Sequence, residues 1–319
     1  MKKISRYFIA LGVLLMASTG LATADDGPIL YGDVIYSDNW EETSDYGVYS
    51  INTSTGTMKT VSPTGDYNFR ATGGAVYKNG HFYIIKGDEY STTWYDYNTT
   101  SWEEENESEE SNTWLATDMT VNPSDNKIYA VMADGNGGQV LTTVDFDSDA
   151  RIVVGSLSNS LVTQSADAYG QLYGIGTDGV LYSIDAVNAD EKAIGATGVQ
   201  PDGMQSATFD YGTGKLYWAA STAMGTGALY TVDTTTGHAT LAARFQGNEQ
   251  VVGLYSLSTA HQWEGPDVPE GPSNVKAVYG NGQSTVTWDA PTKGLHNGDY
   301  SSTGTTYDVT RLPDSVVVA

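Results

Sequence analysis

Hydrophobic and polar positions alternate along this chain in short runs, and turn-forming residues close each run. Residues 205–245 show the pattern most clearly. Gln-Ser-Ala-Thr-Phe-Asp-Tyr leads to Gly-Thr-Gly and then to Lys-Leu-Tyr-Trp-Ala-Ala. After a Gly-rich gap come Ala-Leu-Tyr-Thr-Val-Asp, Thr-Thr-Thr-Gly-His and Ala-Thr-Leu-Ala-Ala-Arg-Phe. Runs this short, rich in β-branched, aromatic and small residues and bounded by turn residues, predict four antiparallel strands in one meander.

The meander recurs. A second-strand pair, an aliphatic residue or Phe followed by Tyr, stands at Leu30-Tyr31, Phe82-Tyr83, Ile128-Tyr129, Leu172-Tyr173 and Leu216-Tyr217, spaced 44 to 52 residues apart. A repeat of about 40–50 residues points to a propeller or array of small sheets. A third-strand column follows at residues 48–52, 94–98, 141–145, 181–185 and 229–233, and each instance ends in Asn or Asp. Those side chains bond nearby backbone and tolerate left-handed turns, so a turn is predicted after each.

A first-strand column aligns as residues 70–75, 115–120, 164–169 and 205–210, with a fifth instance at 250–255 that has no second strand after it. Residues 29–36 read as a second strand with no first strand before it. The predicted fold is all-β: a five-bladed β-propeller over residues 25–260, closed by its N- and C-terminal strands, with residues 251–257 beside 29–36. Such closure leaves no open sheet edge in the ring. Six blades are the alternative if residues 29–66 have been misread as one unit.

The pattern Leu-Tyr-x-[Val/Ile]-Asp-x-x-Thr-Gly, as at Leu229 to Gly237, resembles the blade motif of secreted bacterial β-propellers of the quinoprotein-like and YWTD-like kinds. The resemblance covers residues 29–260. It implies fold more than function, because propellers serve as hydrolases, lectins and scaffolds alike. Residues 261–272 form a Pro/Gly linker without periodicity. After it, Pro272, Val275, Trp288, Pro291 and Tyr307 resemble the first half of a fibronectin type III domain. Such a sandwich needs about 100 residues, so residues 273–319 are read as a partial domain, with further domains expected C-terminal to it.

Composition adds three constraints. Lys2, Lys3 and Arg6 precede an apolar stretch, Phe8 to Met16, and Ala22-Thr23-Ala24 is a small-x-small cleavage site. Residues 1–24 therefore read as a signal peptide, too short in its apolar part to span a bilayer. Export is implied, to the periplasm, the cell surface or the medium. The net charge of −24 opposes nucleic-acid and anionic-membrane partners. The absence of Cys excludes disulfides and thiolate chemistry.

Candidate chemistry is sparse. The aligned first strands place Gly73, Asp118, Asp167, Thr208 and Gly253 in one ring around the channel, with Met119, Ala168, Phe209 and Leu254 turned into the sheet packing. Asp118 and Asp167 facing each other suit a hard cation such as Ca2+ or a sugar hydroxyl; the plain alternative is two solvated carboxylates. At the rim lie Arg70, Gln164, Gln205 and Gln250, which suit a polar ligand or, equally, the finishing of strand ends. Trp40, Trp102 and Trp114 fall outside the repeating columns and are candidates for glycan stacking. The acidic run Glu103 to Glu110 reads as a solvated loop or outer strand, and Asp134 to Gly138 as a hairpin. His81, His238, His261 and His296 are scattered, without the spacing of a zinc site. The whole points to a non-catalytic exported module for protein or glycan contacts, without a required cofactor. The alternatives are a glycoside hydrolase using Asp118 and Asp167 and a purely structural repeat domain. The mature chain is predicted to start at Asp25, which N-terminal sequencing of the exported protein will check.

Overall fold

The computed structural model describes residues 27–39, 47–62, 74–87, 91–110, 114–222, 225–259, 272–280, 283–291, 310–311 and 316–317. Among them there are strands and turns and no helix, hence no helix long and apolar enough to cross a membrane. The signal-peptide residues 1–24, Trp40 and Arg70 lie outside the described residues.

Blade 1 contains β1 (Ile29–Tyr36), β2 (Gly47–Asn52) and β3 (Met58–Thr60). Blade 2 contains β4 (Ala75–Lys78), β5 (His81–Gly87), β6 (Thr92–Asn98) and β7 (Glu104–Glu110). Blade 3 contains β8 (Ala116–Asn122), β9 (Lys127–Ala133), β10 (Gln139–Asp145) and β11 (Ala150–Leu157). Blade 4 contains β12 (Leu161–Ala166), β13 (Leu172–Gly176), β14 (Val180–Ile184) and β15 (Glu191–Ala196). Blade 5 contains β16 (Ser206–Asp210), β17 (Lys215–Ser221), β18 (Gly227–Val232) and β19 (Ala239–Arg244). The last strand of this series, β20 (Gln250–Ser256), pairs antiparallel with β1, so blade 1 has the order β20-β1-β2-β3. The result is five four-stranded antiparallel sheets in a propeller-like arrangement.

The second-strand dipeptide explains how the sheets pack. Successive strand residues point to opposite faces, and here both faces are covered. Leu30, Phe82, Ile128, Leu172 and Leu216 all join the cluster shared with the preceding blade. The tyrosines beside them, Tyr31, Tyr83, Tyr129, Tyr173 and Tyr217, all join or border the cluster shared with the following blade. Blade 5 shares its cluster with blade 1 through Tyr217, Leu229, Leu30 and Ile51. The third-strand column meets the second in constant register: Leu30 faces Ile51, Phe82 faces Tyr97, Ile128 faces Val144, Leu172 faces Ile184 and Leu216 faces Val232. Each fully buried aliphatic or Phe side chain at these points is worth about 1.5–3 kcal/mol.

The Asn or Asp that ends each third strand builds one repeated turn. The Oδ1 atoms of Asn52, Asn98, Asp145, Asp185 and Asp233 accept the amide two residues on, at 2.7–3.0 Å. Four residues after each stands a left-handed residue: Gly56, Trp102, Asp149, Ala189 and Gly237. Gly is obligatory where the neighbouring blade comes close. A Cβ on Gly237 would run into the Gly195 carbonyl, whereas one on Gly80 would meet open space. Trp102 occupies the same turn position with its ring buried against Phe82; it is a core residue and not an exposed stacking platform.

Blade 2 and blade 3 are also joined by Arg151 of β11. Its guanidinium lies 5.6 Å from the ring centres of both Trp94 and Trp114 and forms a 2.6 Å ion pair with Glu110. Trp114 is thereby partly buried under a cation. The acidic run forms β7, the outer edge of its blade, where a row of like charges discourages pairing with another chain.

Beyond residue 272, β21 (Ser273–Gly280) and β22 (Gln283–Asp289) form a hairpin, and β23 (Thr310–Arg311) and β24 (Val316–Val317) form a short pair. Val275, Val278 and Tyr279 are 59%, 66% and 76% exposed, so the hairpin does not bury its own apolar face. Tyr307 lies outside the described residues.

Gly80→Ala is expected to lower stability by about 1 kcal/mol, through backbone strain alone. Gly237→Ala is expected to lower it by about 2–4 kcal/mol, because overpacking adds to the strain. Urea denaturation of the two variants beside the parent chain measures the difference.

Candidate functional site

The inner strands β4, β8, β12, β16 and β20 each end their sheet, and each lies beside the inner strands of the neighbouring blades. Each therefore carries backbone groups with no strand partner on that edge, and buried amides need acceptors. Side chains of the adjacent blade supply them. Thr120 Oγ1 accepts the Ala166 amide at 3.3 Å, Ser165 Oγ accepts the Phe209 amide at 3.1 Å, and Ser206 Oγ accepts the Leu254 amide at 3.0 Å.

Asp118 is the hub of this belt, at 1% exposure. Its Oδ2 accepts the Gln164 amide at 3.0 Å and a short bond from Thr163 Oγ1. Its Oδ1 accepts Ser206 Oγ and the Met119 amide, both at 3.0 Å. One carboxylate thus receives donors from β8, β12 and β16, and through Ser206 it is linked to β20. Burial drives the Asp118 pKa up to about 7, while the bonds from Thr163, Gln164, Ser206 and Met119 pull against that rise.

The channel ring differs from the sequence expectation. Asp118 stands opposite Val131, two residues beyond the second-strand Tyr129. The residues at the same register in the next blades are Thr163, opposite Ile175, and Ser206, opposite Ala219. Asp167 and Thr208 are not in that ring. Asp167 follows the end of β12 in a turn, where its Oδ1 accepts the amides of Tyr169 and Gln171 at 2.9 Å. Asp118 and Asp167 therefore do not face each other across a channel. Asp118 lies eleven residues before its second-strand Tyr129 but Asp167 only six before Tyr173, so Asp167 falls past the end of β12, four positions beyond Thr163. Alignment on carboxylates overlooks that difference in spacing.

Two of the rim glutamines are bonded to neighbouring strands. Gln164, 1% exposed, reaches from β12 to the carbonyls of Tyr129 at 2.8 Å and Asp118 at 3.2 Å. Gln205, equally buried, accepts the Trp218 indole N–H at 3.0 Å and donates to the Ser221 carbonyl at 3.3 Å. Gln250 pairs with Tyr36 at the start of β20 and is half-buried. Asp134 Oδ1 accepts the amides of Asn136 and Gly138 at 2.7 and 2.9 Å, which makes residues 134–138 a self-satisfied turn.

Open space lies elsewhere. A cavity of about 450 Å³ sits over the carboxyl ends of β4, β8, β16 and β20, at the channel mouth. Tyr77, Tyr211 and Tyr255 line it with Thr120, Thr208 and Ser256, and among the described residues no carboxylate borders it. Tyr31, Tyr255 and Tyr77 form a ladder of stacked rings, with centres 5.3 and 4.7 Å apart. A second cavity of about 580 Å³ lies between blades 2 and 3, lined by Tyr83, Phe146, Asp145 and Asp147. Lys78, Asn79 and Asn126 border both, so the two are neighbours on either side of these hairpin turns. Sequence reading missed these cavities, because their residues come from strands and turns of different blades.

No family model matches the chain, and no curated protein matches its sequence significantly. Among solved structures, hydrazine synthase of Kuenenia stuttgartiensis aligns with 69% of this chain and 56% of its own, at 14% identity and a TM-score of 0.37. TolB of Acinetobacter baumannii aligns with 82% of this chain and 61% of its own, at 12% identity and a TM-score of 0.44. This chain thus spans less than two thirds of the length of either.

Between its ordinary value of 3.8 and its folded value of about 7, Asp118 holds a proton that the unfolded chain has released. Its contribution to stability is complete below about pH 4 and is lost as pH rises through about 7. Asp118→Asn is expected to destabilise by about 1–3 kcal/mol at pH 4.5, since an amide nitrogen then faces donors. The difference from the parent chain should shrink by pH 8. Urea midpoints across that range test it.

Proposed function

We propose that this chain is an exported, non-catalytic binding module that takes a glycan along the groove running from the channel mouth to the junction of blades 2 and 3. The observation that carries this reading is the adjacency of two cavities whose walls combine tyrosine rings with hydroxyl, amide and lysine side chains and, in the second, the carboxylates of Asp145 and Asp147. Rings offer an apolar face for a sugar, and the polar groups beside them fix orientation. The cavity at the mouth has room for a small ligand, and its adjacency to the second suits an extended one. In this reading β20 is the strand that closes the ring. The hairpin after residue 272 is the start of a fibronectin-type spacer, and residues 1–24 direct export.

The hydrolase alternative depended on Asp118 and Asp167 as a facing pair. With Asp118 sealed among four donors and Asp167 held in a turn, that pair gives it no support.

On a glycan array followed by calorimetry, the parent chain is expected to bind one class of oligosaccharide. Tyr77→Ala is expected to weaken it at least about tenfold, or about 1.4 kcal/mol, with the unfolding midpoint measured alongside. Absence of glycan binding, or binding indifferent to Tyr77→Ala and Asn79→Ala, would overturn the proposal.

A further inference from the structure

Three strands of blade 2 bring a mixed set of metal donors together beside the larger cavity. His81 starts β5, Asp96 lies in β6 and Glu105 lies in β7. The ligand atoms of all three fall within 4.8 Å of one another. His81 Nδ1 is 2.8 Å from Asp96 Oδ1 and 3.4 Å from Glu105 Oε2. In a tetrahedral zinc site with bonds of about 2.0–2.2 Å, neighbouring donors stand about 3.3–3.6 Å apart. The 3.4 Å separation matches such a site, while the 2.8 Å one is a hydrogen bond that an ion would replace with a modest widening.

The supporting contacts are already in place. The His81 ring stacks on Tyr83, with centres 5.7 Å apart and planes at 13°, which fixes the direction of Nδ1. Asn98 Nδ2 donates to Glu105 Oε1 at 3.0 Å, leaving Oε2 as the oxygen nearest the imidazole. Holding one atom of a ligand so that the other faces the ion is the usual task of a supporting residue. Glu105 is also the extra residue of a bulge, between the Asp96–Asn106 and Tyr97–Glu104 pairs. The charge is unbalanced. Among the described residues, no Lys or Arg forms an ion pair with Asp96 or Glu105, so two carboxylates share a single imidazole.

We infer that His81, Asp96 and Glu105 form a binding site for a divalent transition-metal ion of the zinc type, fixed across β5, β6 and β7. An imidazole with two carboxylates suits such an ion, whereas Ca2+ and Mg2+ prefer oxygen donors throughout. The His81 and Glu105 side chains are 32% and 45% exposed, so a fourth position opens to water or to a donor from a ligand. The site clasps three strands of one blade beside Tyr83, which lines the larger cavity. It stands independently of the glycan reading.

Calorimetric titration of the full chain with zinc chloride at pH 7.5 is expected to show one site per chain. His81→Gln, Asp96→Asn and Glu105→Gln should each weaken it at least about tenfold, and Glu109→Gln, on the same acidic strand, should leave it unchanged. Circular dichroism and unfolding midpoints of the metal-free variants separate lost binding from lost fold. Imidazole NMR of the parent chain needs no variant: of its four histidines, only His81 should shift on adding zinc. Equal weakening by Glu109→Gln, binding indifferent to His81→Gln, or a silent His81 resonance would overturn the assignment.

Discussion

The structure depends on how the exposed edge of each inner strand is satisfied. A ring of small sheets turns one edge of every sheet toward its axis, where there is no strand to pair with and little water. Unpaired amides there are costly. This chain answers with short polar side chains, each reaching from one blade to the backbone of the next. Asp118 concentrates the solution, because a carboxylate has about four acceptor sites and here four donors converge on it. Its raised pKa is a consequence of that position, since the same burial that gives the bonds their value penalises the charge.

That constraint occupies the polar side chains described along the axis. The residues whose polarity suggests a ligand ring, Asp118, Gln164 and Gln205, are occupied by neighbouring strands. Open space lies at the mouth, where inner strands end and their turns diverge. Tyrosines mark this boundary. In the second-strand column they pack between blades, while at the mouth Tyr77 and Tyr211 keep part of their surface open. One residue type serves both tasks because its ring can be covered while its hydroxyl stays at an edge.

Blade 2 carries the most unusual surface. Its outer strand is almost wholly acidic, which protects an edge from pairing, and Arg151 of blade 3 pins the end of that strand through Glu110. At the other end Glu105 bulges toward His81 and Asp96. Edge protection, blade docking and a donor cluster therefore share one strand, and its charges serve separate tasks.

The strand repeat, the Asx turns and the division into five units were legible in the sequence. They follow from local rules: two-residue alternation, an aliphatic–tyrosine pair buried on both faces, and Asn or Asp bonding its own turn. The first-strand register was not legible. Matching carboxylate to carboxylate made Asp167 look equivalent to Asp118, although strand pairing gives that level to Thr163 and Ser206. Nor did spacing show that His81, Asp96 and Glu105 meet, because they lie on three strands and depend on a bulge. Periodicity determined which residues enter strands and which face they bury. The partners of each polar group were decided only when neighbouring blades came together, because those bonds run between segments that are distant in the chain.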